Sequence, residues 1–493
     1  MGFFIDPEFK ENLMSKIAYI TTAIPYVNGR PHIGFALESV QADVIARYNR
    51  LIGIDTRLQT GTDENAFKNV ITARHLGITT EELVKQNAGL FYDLAEALNI
   101  SFDNFVRTTD QQHTKGATFL WKQFRPEDIY KKNYTGLYCS GCEDFYLERD
   151  LVNGCCPDHG TPPVEVQETN YFFRLSAYQE RLEQLLNNDT IKVIPLTRKN
   201  EVLSFIRSGL QDFSISRATE RSDGWGIVVP GDPSQIIYVW IDALTNYISG
   251  LGYGTSDRWT QFWNENSSKI HVIGKNVWKF HAVYWPALLL SAGLPLPNEI
   301  VVHGFLTENG CKISKSRGST IDPLELICKF GADAVRYYLL GEVSPFNDGD
   351  FSTERFQNIY ETRLANNLGN LVSRLTSLCK KANYAHYNGV LVSKAPDGYH
   401  EAFKNYEFDK ALKLLWQIVT ELNQDIDSFK PWDLLKDKNL EAVRNALSRW
   451  LQKIQKITYW LVPFLPETSV RIQSILTQDP IKPSAPLFPK YCT

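Results

Sequence analysis

At 493 residues the chain is too long for one hydrophobic core, and roughly two to four domains are expected. Apolar residues at 43% and charged residues at 22% exclude a disordered chain. A net charge of −4 excludes bulk attraction to nucleic acid, so an RNA partner would have to be held by local basic patches and specific contacts.

Residues 1–13, "MGFFIDPEFKENL", hold an apolar stretch too short for a signal peptide and are set aside as a tag or extension. No run of eighteen or more apolar residues follows, so neither secretion nor a membrane span is expected, and a cytoplasmic location is. Over residues 14–113, β-rich runs ("IAYITTAI", "TRLQTGT") alternate with helical stretches ("GFALESVQADVIARYNRLIG"), the alternation of a parallel α/β sheet. Such sheets bind ligands at the carboxyl ends of their strands, which brings residues 24–35 and "TGTDENA" (60–66) to one site. "IPYVNGRPHIGFALE" reads as a strand end, a Gly-Arg-Pro turn and a helix opening at His32. A turn such as His32 to Gly34 suits an anion, because backbone N–H groups and the helix dipole converge there. Phe35 stands where a second polar residue is expected.

Residues 114–223 read as an insertion. "YCSGC" gives Cys139-x2-Cys142 and "CCPDHG" gives Cys156-x2-His159, two pairs that suit tetrahedral Zn²⁺; four protein ligands would close the site and make the ion structural. Cys155 in place of Cys156 is the weaker alternative, and three unconnected thiols with a surface His the plainer one. Four of the eight cysteines cluster here between Cys139 and Cys156 while Cys311, Cys328, Cys379 and Cys492 are scattered, which suits a reducing compartment and one metal site better than a disulfide framework. The α/β pattern resumes over 224–351 with "IIYVWIDALTNYI" and "KIHVIGKNVWKFHAVYWPALLLSAG". "ENGCKISKSRGSTIDP" then places Lys312 and Lys315 three apart in a loop that can bring two ammonium groups onto a polyphosphate. On "KISKS" alone, a solvated lysine-rich turn explains as much. Residues 352–493 read as helix after helix, an α-helical bundle.

These motifs are collinear with "TNYFFRLSAY", "KNEVLSFI", "HVIGK", "FHAVYWPALL", "DAVRYYLL", "NLGNLVSR" and "KPW", and together the chain resembles the class I aminoacyl-tRNA synthetases, in their methionine branch. The resemblance implies an α/β fold: a Rossmann-type parallel-sheet catalytic domain, a zinc-bearing connective insertion, and an α-helical bundle that binds the anticodon. It implies attack of the methionine carboxylate on the α-phosphate of Mg²⁺-ATP, then transfer from the adenylate to the 3′ end of a tRNA with a CAU anticodon. His32 and Gly34 match the HIGH motif and Lys312 and Lys315 the lysines of KMSKS; Phe35 and Gly274 complete the implied ATP site. Asp63 matches the carboxylate that holds the substrate ammonium. Ile24, Tyr26, Trp240, Ala243, Leu244, Tyr247, Val277 and His281 match the side-chain pocket, for which ordinary core packing is the plainer reading of Trp240 and Tyr247. Asn370, Arg374 and Trp432 match the anticodon-reading positions; the plainer reading is a helix with two polar residues and a buried Trp. The implied metals are Mg²⁺ with ATP and one structural Zn²⁺ per chain, with no membrane or DNA partner.

The sequence departs from the family pattern at Phe35, at Asn65-Ala66, which replace His-Gly, and at Ile313, which replaces the Met of KMSKS. Phe35 and Asn65 are expected to lie near the nucleotide as a paired adjustment. Two rival readings are a paralogue that serves a small non-tRNA acceptor and a non-catalytic relative. Asn370, Arg374 and Trp432 speak against the first, and the Lys312/Lys315 pair against the second.

Overall fold

Six parallel strands form the central sheet, in the order Asn104–Arg107, Asp55–Thr62, Ile17–Thr22, Ser268–Gly274, Glu299–His303, Lys192–Ile194. The structure is a computed structural model that describes residues 16–139, 144–146, 148–157, 160–308, 311–312, 321–384 and 394–489. The inner strands are buried along nearly their whole length because helices cover both faces of the sheet. The first strand lies in the middle; the chain builds outward on one side and returns on the other. The topological switch point therefore falls between Ile17–Thr22 and Ser268–Gly274, where a ligand crevice is expected.

Part of the span 114–223 belongs to this sheet. Lys192–Ile194 is its edge strand, and helix Gln111–Gln123 is bonded to helix Val239–Ser249 through Gln112 and His113. The strand "KVI" is three residues long, too short to carry a visible period. The rest of the span supplies a four-stranded antiparallel sheet in the order Asp144–Tyr146, Ile129–Cys139, Val164–Phe173, Phe213–Ser214.

From Thr353 onward the described elements are helices. In helix Phe408–Phe429, Phe408, Ala411, Leu412, Leu415, Trp416, Val419, Leu422 and Ile426 are buried at three- and four-residue spacing, the stripe a bundle helix needs. One hydrophobic core runs without a break from Ile20 through helix Ile33–Leu51 to Phe488.

The joint between sheet and bundle is polar at its centre. Arg336, fully buried in helix Ala332–Gly341, lies 2.7 Å from Asp43 Oδ2 and donates to the carbonyls of Phe464 (2.8 Å), Pro463 (2.9 Å) and Leu98 (3.2 Å). Asp43 Oδ1 accepts from the Ser101 N–H and hydroxyl at 2.7 and 2.6 Å. Burial alone would raise the Asp43 carboxyl, but Arg336 and Arg47 outweigh it and hold the group below the usual carboxylate range. Removing one member of such a pair leaves a charge buried without its partner. Arg336→Met is expected to cost about 3 kcal/mol or more, read as a lower urea midpoint than that of the unmutated chain.

Candidate active site

At the switch point the structure opens a cavity of about 310 Å³. Its walls come from the segment after the first strand (Ile24, Tyr26), the start of helix Ile33–Leu51 (His32, Gly34, Phe35), the end of Ser268–Gly274 and the turn beyond (Gly274, Asn276, Val277), and Trp240. His32 is the N-cap of that helix, and its Nδ1 accepts from the Gly34 N–H at 3.1 Å. That bond leaves Nε2 as the ring nitrogen that carries the proton. Gly34 is needed for this arrangement, because a Cβ there would stand 2.9 Å from His32 Cε1.

Phe35 is buried, lines the cavity, and meets Phe91 edge-to-face with ring centroids 4.9 Å apart. The expected pairing with Asn65 is absent. Asn65 Nδ2 donates instead to Thr108 O (3.1 Å) and Asp242 Oδ2 (2.8 Å), and Asn65 is not among the cavity's lining residues. The aromatic contact, not a nearby donor, accommodates the ring.

Glu38 and His303 are among the lining residues that escaped the sequence reading. Glu38 Oε2 lies 2.9 Å from His303 Nε2, and His303 Nδ1 lies 2.7 Å from Gly304 O, so both ring nitrogens face acceptors. Glu38 stands four residues after Gly34 on the same helix face, a spacing that could have found it. His303 carried no such signal.

Ile24, Tyr26, Trp240 and Val277 reach the cavity wall, whereas Asp63, Ala243, Leu244, Tyr247 and His281 are buried and do not line it. Asp63 is buried and bridged to Tyr26 through the backbone, its N–H donating to Pro25 O at 2.9 Å. Trp240 stacks on Phe280 at 3.6 Å and stands 6.3 Å from the Tyr26 ring. Phe280–Tyr284 is a π-helical turn, and it carries both Phe280 and His281. The His281 ring is fixed at both nitrogens: Nδ1 lies 2.9 Å from Val277 O and Nε2 lies 2.6 Å from the Tyr247 hydroxyl. The carbonyl can only accept, so Nδ1 bears the proton and Tyr247 donates to Nε2. Burial keeps both groups neutral, lowering the imidazole to about 4 and raising the phenol well above its ordinary value.

Lys312 lies in the short strand Cys311–Lys312, opposite Thr307, the residue that follows the cavity-lining Leu306; Lys315 and Ile313 lie outside the described residues. Cys142 and His159 lie outside them too. Cys139 and Cys156 are 2% and 1% exposed. The Cys156 carbonyl accepts from the Gly160 N–H at 2.8 Å, closing a tight turn, while half-buried Cys155 is bridged to Val152. Cys139 ends strand Ile129–Cys139, and its buried thiol and that of Cys156 have the chemistry a zinc knuckle needs. No group of three or more metal-ligating side chains occurs among the described residues, nor a helix long and apolar enough to cross a membrane.

In the bundle, Asn370 is exposed and Arg374 lies 2.5 Å from Asp427. Trp432 is 41% exposed, so it is not the buried Trp of the plainer reading. It follows Lys430, whose φ of 50° lies in the left-handed region.

The family model for tRNA synthetases class I (M) matches residues 18–164 and 150–376. The chain is similar to the methionine--tRNA ligase of Thermotoga maritima, 39% identical over 475 residues covering 92% of this chain and 74% of the relative. It is likewise similar to that of Brucella melitensis, 40% identical over 478 residues covering 93% and 91%. Among solved structures, Mycobacterium tuberculosis methionyl-tRNA synthetase in complex with methionyl-adenylate matches with a TM-score of 0.88 at 36% identity, covering 96% of this chain and 100% of that one. The apo form of the same enzyme matches with 0.82 at 35% identity, covering 97% and 99%.

The buried neutral His281 makes stability depend on pH. Its value falls from the ordinary 6.5 to about 4 on folding, so the folded state binds this proton less readily than the unfolded chain. The stabilisation is complete above pH 6.5 and is lost as pH falls toward about 4, at up to about 1.4 kcal/mol per pH unit. His271, lowered by burial as well, acts in the same direction. Urea unfolding followed across this range is expected to show the decline, and His281→Asn to flatten it.

Proposed function

The chain belongs to the class I tRNA synthetases (M), and on that premise we propose that it activates L-methionine with Mg²⁺-ATP and transfers the methionyl group to the 3′ end of a tRNA with a CAU anticodon. The observation that carries this reading is the meeting, in one cavity, of an anion-type helix start and an apolar, aromatic-walled slot. In the first step a methionine carboxylate oxygen attacks the α-phosphorus, the bond to the bridging oxygen breaks, and pyrophosphate leaves. In the second, a terminal ribose hydroxyl of the tRNA attacks the adenylate carbonyl and AMP leaves.

His32 Nε2–H serves as a donor to phosphate oxygens beside the positive end of the helix dipole, and Lys312 and Lys315 bring positive charge to the leaving pyrophosphate. Phe35 and Gly274 complete the walls around the nucleotide. Asp63 holds the substrate ammonium, while Tyr26 and Trp240 offer ring contacts to a thioether sulfur. Ile24 and Val277 close the slot, braced by Ala243, Leu244, Tyr247 and His281. Held this way the reactants need little further reorganisation, so catalysis is chiefly positioning.

Catalytic work is assigned to residues 14–113 and 224–351 together with the sheet strand Lys192–Ile194, the connective insertion to the rest of 114–223 and anticodon binding to 352–493, in a cytoplasmic enzyme without a membrane or DNA partner. Exposed Trp432 suits base stacking, with Asn370 and Arg374 as hydrogen-bonding partners. Cys139, Cys142, Cys156 and His159 would hold one Zn²⁺, which would supply a structural cross-link between the two cysteine-bearing segments.

Two assays test the reading. Lys315→Ala is expected to abolish methionine-dependent pyrophosphate exchange, whereas Trp432→Ala leaves tRNA-free exchange near normal and weakens charging of CAU-anticodon tRNA by about ten-fold or more. Exchange that survives in Lys315→Ala overturns the catalytic assignment; normal exchange by the unmutated chain with no charging of any tRNA would favour the small-acceptor paralogue. For the metal, elemental analysis is expected to find about one Zn²⁺ per chain and clearly less in Cys139→Ser. Full occupancy in a Cys139/Cys142 double variant would refute the site.

A further inference from the structure

The residues around the side-chain slot form a closed circuit. Tyr26 is bridged to Asp63 through the backbone, and two residues on, Asn65 donates to Asp242 Oδ2 at 2.8 Å. Asp242 sits two residues after Trp240, whose ring stands 6.3 Å from that of Tyr26 and completes the loop. The second Asp242 oxygen is held by His113 Nε2 at 2.5 Å, and His113 Nδ1 lies 2.8 Å from the Ser249 hydroxyl. Asn65, Asp242, His113 and Ser249 are all buried, and none of them lines the cavity. The Asn65–Asp242 bond joins the loop bearing Asp63 to the helix bearing Trp240 by side chains, one helical turn from where Gln59 Nε2 of the preceding strand meets Asn246 Oδ1 of that helix at 2.9 Å.

We propose that Asn65 and Asp242 are positioning residues that set the distance between the ammonium-holding loop and the aromatic wall, and so the width of the methionine slot. His113 fastens the same carboxylate to helix Gln111–Gln123, the root of the inserted segment. A slot loosened at this bond loses the fixed separation between Asp63 and Trp240, while the nucleotide end, built on His32 and Gly34, keeps its geometry. The inference rests on the proposed reading of the slot as the methionine site.

The test is methionine-dependent pyrophosphate exchange by the full chain, with methionine and ATP varied separately and active sites titrated. Asn65→Leu, which removes the donors at similar size, is expected to raise KM for methionine about ten-fold, with KM for ATP within two-fold and kcat per titrated site within three-fold. Asn65→His, whose ring N–H can donate to the carboxylate, is expected to bring KM for methionine back within three-fold of the unmutated chain. If Asn65→Leu does not fold, Asn65→Ser, too short to reach Asp242, replaces it under the same thresholds. Three outcomes overturn the proposal: an unchanged KM for methionine, a loss of titratable sites alone, or equal defects in the Leu and His variants. Absence of methionine-dependent exchange in the unmutated chain would overturn the proposed function instead, so the two failures are read on different proteins.

Discussion

Arg336 is surrounded by four acceptors from three parts of the chain: the Asp43 carboxylate, the Leu98 carbonyl, and the carbonyls of Pro463 and Phe464. A buried guanidinium is tolerable only when its N–H groups are met in this way, so the relative placement of sheet and bundle is restricted by hydrogen-bond geometry as well as by packing. Asp333, one helical turn earlier, accepts from the Thr468 N–H at 2.6 Å and secures the start of the last long helix. Asp43 lies on the helix that opens at His32, about 15 Å along its axis from the helix start. One rigid element thus runs from the nucleotide end of the cavity to the joint with the bundle.

The cavity divides its labour in a similar way. The groups suited to charge, His32 and the helix start, stand on one wall, while the lining Val277 is tied through hydrogen bonds to Tyr247 and His281, rings held neutral by burial. Neutrality matters there because a charged imidazole behind an apolar slot would favour polar side chains over a thioether. The hydrogen bonds from Tyr247 to His281 and from His281 to Val277 orient these rings without exposing charge to the slot.

Much of this was legible in the residues. The apolar run "IAYITT" followed by a turn and "HIG" marked a central strand and a helix start, because strand period and capping chemistry are local properties. Trp240 and Val277 were placed by resemblance and do line the cavity. Lys192–Ile194 was missed as a sheet strand because its partner, Glu299–His303, lies about a hundred residues away and three residues show no period. Asn65 was assigned to the nucleotide from its place in "TGTDEN", yet its amide is engaged by Thr108 and by Asp242, 177 positions away. His303 depends on the end of a strand meeting Glu38 across the sheet, a relation no local pattern records.

The π-helical turn Phe280–Tyr284 also constrains how this chain can vary. A π-turn accommodates one residue more than the α-helical repeat, and residues on its two sides are out of phase by about 100° relative to an uninterrupted helix. Deleting any one residue would restore a regular helix and rotate the preceding segment by that angle. Phe280 would leave the face of Trp240, and His281 would leave Tyr247. Point substitutions can therefore be screened position by position in this stretch, but its length is fixed: the register of the pocket is written in the number of residues as much as in their identity.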